Sequence, residues 1–129
     1  MRSSKLTPME LEIMKVLWDR GPSSIPEILE RLGKAGGPAY TTVQTLVYRL
    51  ERKKAIRRAS EKIVNANVFE PRISQTAVEG SMIDDLVRLL GGRALPIMTH
   101  LIDSGKLTRA EIREAQQALR GHPVKESKP

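Results

Sequence analysis

The sequence contains no cysteine in its 129 residues. Disulfides, thiolate zinc sites and cysteine nucleophiles are therefore excluded, which is typical of a reducing compartment. Only two histidines occur, and His100 and His122 are isolated in the sequence, without neighbours that could complete a metal or catalytic site. There is also no glycine-rich phosphate loop and no nucleophile motif. The sequence predicts a protein that is not an enzyme and holds no metal or cofactor.

Long hydrophobic runs are missing as well. The longest apolar run, Ala94 to Met98, has five residues and includes Pro96, whereas a membrane-spanning helix needs roughly 20. The N-terminal residues have no apolar signal core. We therefore expect a cytoplasmic protein with no stable membrane insertion.

Positive charge is present in excess, with 22 basic and 15 acidic residues and an isoelectric point near 10.1. Residues 1–72 hold 14 basic and 8 acidic side chains, net +6, while residues 73–129 hold 8 and 7, net +1. A basic surface attracts polyanions such as nucleic acid. The polyanion-binding function is therefore predicted in the first half of the chain.

Three helix starts are marked by capping boxes, of which the third, Thr108 with Glu111, begins the last helix. Thr7 is followed by Pro8 and Glu10, which predicts a helix from there to about Arg20. Ser24 with Glu27 predicts a second helix over about Ile25–Leu32. The expected buried stripe of the first helix is Met9, Ile13, Val16 and Leu17.

The third helix is predicted within residues 39–58. Its apolar residues recur at offsets 0, 3, 4 and 7 and so share one face: Val43, Leu46, Val47 and Leu50. The opposite face carries hydroxyls and guanidiniums: Thr41, Thr45, Tyr48, Arg49 and Arg52. Such groups can donate to base edges and phosphates in a major groove, which is typical of a recognition helix.

Two short extended segments follow, 56–59 and 67–70, and predict a β-hairpin with a long tip. Three helices and a hairpin are the arrangement of a winged helix-turn-helix domain. Seven basic residues concentrate at the junction of helix and hairpin: Arg49, Arg52, Lys53, Lys54, Arg57, Arg58 and Lys62. This concentration favours a double-stranded DNA interface over an ordinary solvated helix face.

The predicted contacts fall into two classes. Those facing the groove are Thr41, Thr42, Gln44, Thr45 and Arg49. Those holding phosphates are Arg52, Lys53, Arg57, Arg58 and Lys62, helped by the amide end of the second helix at Ser24. Tyr48 either packs its ring or contacts a phosphate. The alternative function is a winged-helix interaction module whose basic face binds an acidic protein partner.

The second half of the chain predicts helices over about Ser74–Leu90, Leu95–Ile102 and Thr108–Leu119. Their apolar residues have little left to cover in a 72-residue domain, so we expect them to form a homodimer. The residues assigned to dimerisation are Val78, Ile83, Leu86, Val87, Leu90, Ile112 and Leu119. The expected fold is mainly α with a small β-hairpin: a winged helix-turn-helix domain, residues 1–72, and a helical dimerisation domain, residues 73–129.

Residues 6–32, 41–56 and 107–119 carry a family resemblance. The combination of the first helix, with EIMKVLW, and the third, with TTVQTL, resembles the penicillinase and methicillin-resistance repressors. The resemblance implies a homodimeric transcriptional repressor that binds dyad-symmetric operators and controls β-lactam-responsive, antibiotic-resistance genes.

Two features of the resemblance concern the inducing signal. Copper-responsive relatives have a cysteine-rich C-terminal motif, which a chain without cysteine lacks. In antibiotic-responsive relatives a membrane sensor-protease pathway leads to cleavage of an Asn-Phe bond, and the matching pair here is His100-Leu101. The resemblance implies release from DNA by proteolysis near that pair.

Overall fold

The computed structural model describes residues 5–33, 37–59 and 67–122. These form six helices and two strands, which in chain order are α1 (Pro8–Arg20), α2 (Ile25–Leu32), α3 (Tyr40–Arg52), β1 (Ile56–Arg58), β2 (Phe69–Pro71), α4 (Gln75–Leu89), α5 (Leu95–Asp103) and α6 (Arg109–Arg120). The mainly helical fold with one small hairpin is confirmed.

The chain divides into two compact units, residues 1–81 and 82–129, and the division falls within α4. The sequence places the boundary earlier, between Arg72 and Ile73. The difference arises because α4 continues through the boundary without a break, and Val78 in its first turns is buried and belongs to the first unit. Val78 is therefore a structural residue of that unit in this chain, rather than part of the exposed surface predicted for dimerisation.

The helix starts follow the predicted capping boxes. At α1 the Thr7 hydroxyl accepts from the Glu10 amide at 3.2 Å, and the Glu10 carboxylate accepts from the Thr7 amide at 2.9 Å. The same reciprocal pairs form at α2, between Ser24 and Glu27, and at α6, between Thr108 and Glu111. Each box satisfies amides that the first helical turn leaves without partners.

The core of the first unit lies between α1, α2, α3 and the hairpin. The sequence predicts Met9 in this core, but the prediction is wrong, since Met9 is 38% exposed. The inward stripe of α1 instead follows offsets 0, 3, 4 and 7 from Glu10, and Met9, one residue earlier, is rotated about 100° away. This stripe is Glu10, Ile13, Met14 and Leu17, each 1% exposed or less.

The hairpin pairs β1 with β2 in antiparallel register, with Ile56 opposite Pro71 and Arg58 opposite Phe69. The predicted second strand, 67–70, begins two residues later in the structure. Phe69 also exchanges backbone hydrogen bonds with Ser23, at 2.8 and 3.0 Å. This single-residue bridge ties the turn before α2 to the hairpin. The hairpin tip, 60–66 with Lys62, lies outside the described residues.

Trp18 joins α1 to the segment that follows the hairpin. Its indole Nε1 donates to the carbonyl of Ile73 at 3.0 Å, and its half-buried ring packs against the core. A buried tryptophan usually finds such a partner for its N–H. Trp18 is therefore a structural residue of the first unit.

The second unit contains the end of α4, α5 and α6. No residue described between 82 and 122 is buried. Large apolar side chains remain between 42% and 83% exposed: Met82, Ile83, Leu86, Leu89, Leu95, Met98, Ile102 and Leu119. We call these eight the exposed apolar set. None of the helices in the described ranges is long and apolar enough to cross a membrane.

Candidate nucleic-acid interface

The orientation of α3 is set by its buried face. Val43, Val47 and Leu50 are fully buried and Leu46 is 7% exposed, so this side of the helix is fixed against the core. The helix ends at Arg52, and Lys54, whose φ of 64° is left-handed, turns the chain into β1. The opposite face must therefore point outward, as predicted for a recognition helix.

The groove-facing residues lie along that outer face. Thr41, Thr42 and Thr45 are exposed, and Gln44 is half-buried. The Gln44 amide donates to the Tyr48 hydroxyl, one turn later, at 3.3 Å. Hydroxyl and amide groups can donate to or accept from base edges, so this face has the chemistry that direct readout requires.

Arg49 is linked to a buried carboxylate that the sequence-based interpretation treats only as a helix cap. Glu10 is 0% exposed, and its Oε1 accepts from Lys53 Nζ at 2.7 Å. Its Oε2 lies 3.8 Å from Arg49 Nη1 and accepts no hydrogen bond from the described residues. Burial alone would raise the pKa of Glu10, but the hydrogen bonds from Lys53 and Thr7 and the charges of Lys53 and Arg49 outweigh it, and the pKa is lowered.

Lys53 is therefore not placed as a phosphate contact. Its side chain is only 19% exposed, and its ammonium donates to Glu10 and to the Lys5 carbonyl, the latter at 2.8 Å. The sequence holds one signal of this arrangement: Glu10 falls on the inward stripe of α1. A carboxylate there requires a cation from another element, and Lys53, the C-cap of α3, lies one turn after Arg49.

Two more of the predicted phosphate contacts are paired with carboxylates. Arg57 Nε lies 2.7 Å from Glu70, across the hairpin, and Arg58 Nε lies 3.0 Å from Glu51. The Arg58 guanidinium also lies over the rings of Phe69 and Tyr48, at 5.4 and 5.9 Å from their centroids. The Tyr48 ring thus packs under Arg58, although its side chain remains 38% exposed.

Two exposed cations near the end of α3 have no ion-pair partner among the described residues, Arg52 and Lys54. Near this face, Arg52 and Lys54 hold the positive charge that no described carboxylate pairs with, whereas Arg49 lies 3.8 Å from Glu10. Arg57 and Arg58 remain at the surface, 63% and 45% exposed, but would have to exchange a carboxylate for a phosphate.

Ser24 is not available to a phosphate in this structure. It is 6% exposed, its hydroxyl accepts from the Glu27 amide, and its own amide donates to the Glu27 carboxylate at 2.8 Å. These hydrogen bonds lower the pKa of Glu27, and the Ser24 amide is the larger cause. Both polar groups of Ser24 are thus used within the helix cap.

The remaining predicted sites lie in the second half of the chain. Ile83, Leu86 and Leu119 are exposed, and Val87, Leu90 and Ile112 are half-buried. His100 and Leu101 lie inside α5, with His100 exposed and Leu101 half-buried. Their peptide bond is part of a helix, and the Leu101 carbonyl accepts from the Lys106 amide at 3.0 Å.

Comparisons with known proteins agree with this geometry. Residues 6–121 match the model of the penicillinase repressor family. The penicillinase repressor of Bacillus licheniformis is 28% identical over 119 residues, which cover 92% of this chain and 91% of that protein. The solution structure of the DNA-binding domain of the repressor BlaI is 28% identical, with a TM-score of 0.50 over 58% of this chain and 89% of that domain.

A transcriptional regulator from Thermotoga maritima shares the fold, with a TM-score of 0.52 and 23% identity over 89% of this chain and 74% of that one. The family match spans both compact units and contains α3 with its outward polar face. The chain belongs to the penicillinase repressor family of winged-helix, DNA-binding transcriptional repressors, which are not enzymes.

Proposed function

We propose that the protein acts in the cytoplasm as a homodimer that binds a dyad-symmetric operator, with one α3 helix in each of two major grooves. The observation that carries this proposal is the outer face of α3, where exposed threonines and Arg49 lie opposite four buried apolar residues. An α-helix fits the major groove of B-DNA, and its side chains can there distinguish all four base pairs.

Within this interface, Thr41, Thr42, Gln44, Thr45 and Arg49 contact base edges. Arg52 and Lys54 contact phosphates directly because no described carboxylate pairs with them. Arg57 and Arg58 contribute less to affinity, since each must give up Glu70 or Glu51 before it binds a phosphate. Phosphate contacts fix the register of the helix, and base contacts provide the specificity.

The exposed apolar set supports the dimer. The described part of the second unit buries none of its own residues, and eight large apolar side chains stay open to solvent. Exposed apolar surface of this kind marks an interaction site in a soluble protein. A second copy would cover it, and two joined DNA-binding units gain affinity from their effective local concentration.

Release from the operator proceeds by cleavage in α5, near His100-Leu101, in response to β-lactams through a membrane sensor-protease pathway. A helical peptide bond cannot enter an extended protease cleft, so α5 must first unfold locally. α5 buries no residue within its own chain, so the cost of such unfolding comes mainly from the dimer contacts of Leu95, Met98 and Ile102. Mass spectrometry of cells exposed to a β-lactam tests this step: an intact chain alongside derepressed target genes would contradict it.

The DNA-binding proposal is tested by selecting duplexes from a random pool with the full chain. We expect two inverted half-sites whose centres lie about 34 Å apart, or a multiple of that distance. Arg49→Ala should then cost about 1–3 kcal/mol on the selected operator and relax the preference at one base pair. Arg113→Ala, an exposed change on α6, is the matched control. Selection of no common sequence, or equal losses on operator and unrelated DNA, would contradict the proposal.

A further inference from the structure

Glu10, Arg49 and Lys53 form a three-residue group that links α1 to the recognition helix. The carboxylate is fully buried, Lys53 is 19% exposed and Arg49 is 41% exposed. The group therefore runs from the interior of the first unit to its DNA-facing surface. Its formal charges leave one net positive charge, on the most exposed member.

We propose that Glu10 is a positioning residue for base recognition: it holds one edge of the Arg49 guanidinium and leaves the other edge to read a base. The proposal rests on the proposed function, in which Arg49 contacts the groove. A guanidinium is planar and has five N–H donors, so it can bind a carboxylate and a guanine edge at the same time. A lysine has no planar group, and the guanidinium of an unsupported arginine has no fixed orientation.

The two oxygens of Glu10 have different partners. Oε1 already accepts from the Thr7 amide and from Lys53 Nζ, at 2.9 and 2.7 Å. Oε2 accepts no hydrogen bond from the described residues, and its charged neighbour is Arg49 Nη1 at 3.8 Å. A buried acceptor without a donor is costly, so it favours any arginine rotamer that moves Nη1 within hydrogen-bond distance. Oε2 thus selects the arginine conformation before DNA is bound.

Lys53 has a separate role in this group. It neutralises the buried carboxylate through Oε1, so the Arg49 charge is not consumed inside the protein and can act on DNA. The N-terminal end of α1, where Glu10 occupies the first turn, also stabilises the negative charge. The arrangement explains why a recognition arginine lies beside an anion without losing its function.

The test is a double-mutant cycle on the selected operator with Glu10→Gln and Arg49→Ala. Glutamine serves a capping box as well as glutamate does, so α1 keeps its start while the anion is lost. Arg49→Ala is expected to weaken binding about 10- to 100-fold in the wild type, and less than about threefold in the Glu10→Gln background, because interacting residues are not additive. Glu10→Gln should also relax preference at the same base pair as Arg49→Ala.

The matched control is Glu12→Gln on the same helix, where the carboxylate is 50% exposed and pairs with Lys15 at 3.1 Å. It should leave both affinity and base preference unchanged. The positioning role is overturned if the affinity losses of Glu10→Gln and Arg49→Ala multiply independently in the double variant. It is also overturned if Glu10→Gln lowers affinity without changing the base preference at any position. Failure of the wild type to select any sequence would instead overturn the proposed function.

A second variant separates positioning from stability. Glu10→Gln with Lys53→Met removes both charges of the buried pair, which restores charge balance without restoring an anion for Arg49. We expect the thermal midpoint to recover relative to Glu10→Gln alone, while the base preference at the Arg49 position stays relaxed. Recovery of both would show that Glu10 acts only through stability and would overturn the proposal.

Discussion

Leu89 is the most exposed large apolar residue of the exposed apolar set, at 83%. It lies seven residues after Met82 and three after Leu86, so the three share one face of α4. If a second copy covers this face, Leu89→Ala removes roughly three methylene equivalents from the interface, at about 0.8 kcal/mol each. Scaled by the exposed fraction, the loss is about 2 kcal/mol per protomer and about 4 kcal/mol per dimer, or about a 10³-fold weaker dimer.

Sedimentation equilibrium of the wild type and Leu89→Ala measures this difference directly. Asp84→Ala, on the opposite side of the same helix, is the matched control and should leave the dimer intact. Circular dichroism should show the same helix content in all three proteins, because alanine is a strong helix former. A wild type that is monomeric at micromolar concentration, or equal dissociation constants for wild type and Leu89→Ala, would refute the reasoning.

Two further predictions concern the helix caps. Because the pKa values of Glu10 and Glu27 are lowered in the folded chain, their stabilisation is fully present above their unfolded pKa, about 4.3, and is lost as pH falls through the folded values. The free energy of unfolding of wild type minus that of Glu10→Gln, from urea titrations, should therefore shrink between pH 6 and 3, and a pH-independent difference would contradict this. Ser24→Ala should cost about 0.5–2 kcal/mol of stability, yet leave operator affinity unchanged in titrations of the folded protein. An affinity loss with unchanged stability would show that Ser24 contacts a phosphate after all.

Local features of the fold are well predicted from the sequence. The α3 face follows from apolar residues at offsets 0, 3, 4 and 7, and the three capping boxes each depend on residues only three positions apart. Such signals need no knowledge of distant contacts. For the same reason the outer residues of α3, Thr41, Thr42 and Thr45, are exposed as expected.

Features that depend on residues far apart in sequence are less predictable. Glu10 and Lys53 are 43 positions apart. The sequence therefore shows the basic cluster, but it does not show that Lys53 in this cluster binds the buried carboxylate of Glu10. Ser24 is buried beside Ser23, whose backbone pairs with Phe69 in the hairpin.

The second half of the chain shows the same limit. Periodicity predicts apolar helices but not which residues the first unit already buries. Val78 is therefore assigned to the dimer from sequence, although the structure buries it. Leu89 is missed for a related reason: the sequence favours Leu90, which is half-buried in the structure.

The salt dependence of operator binding tests the central claim most directly. If Arg52 and Lys54 of each protomer bind phosphates, a dimer neutralises about four phosphates, and log affinity should fall with log salt with a slope of about −3.6 or steeper. The wild type should also bind the selected operator at least about 10³-fold more tightly than a scrambled duplex of equal length. A slope near zero, or equal affinity for the two duplexes, would contradict a sequence-reading DNA interface on α3.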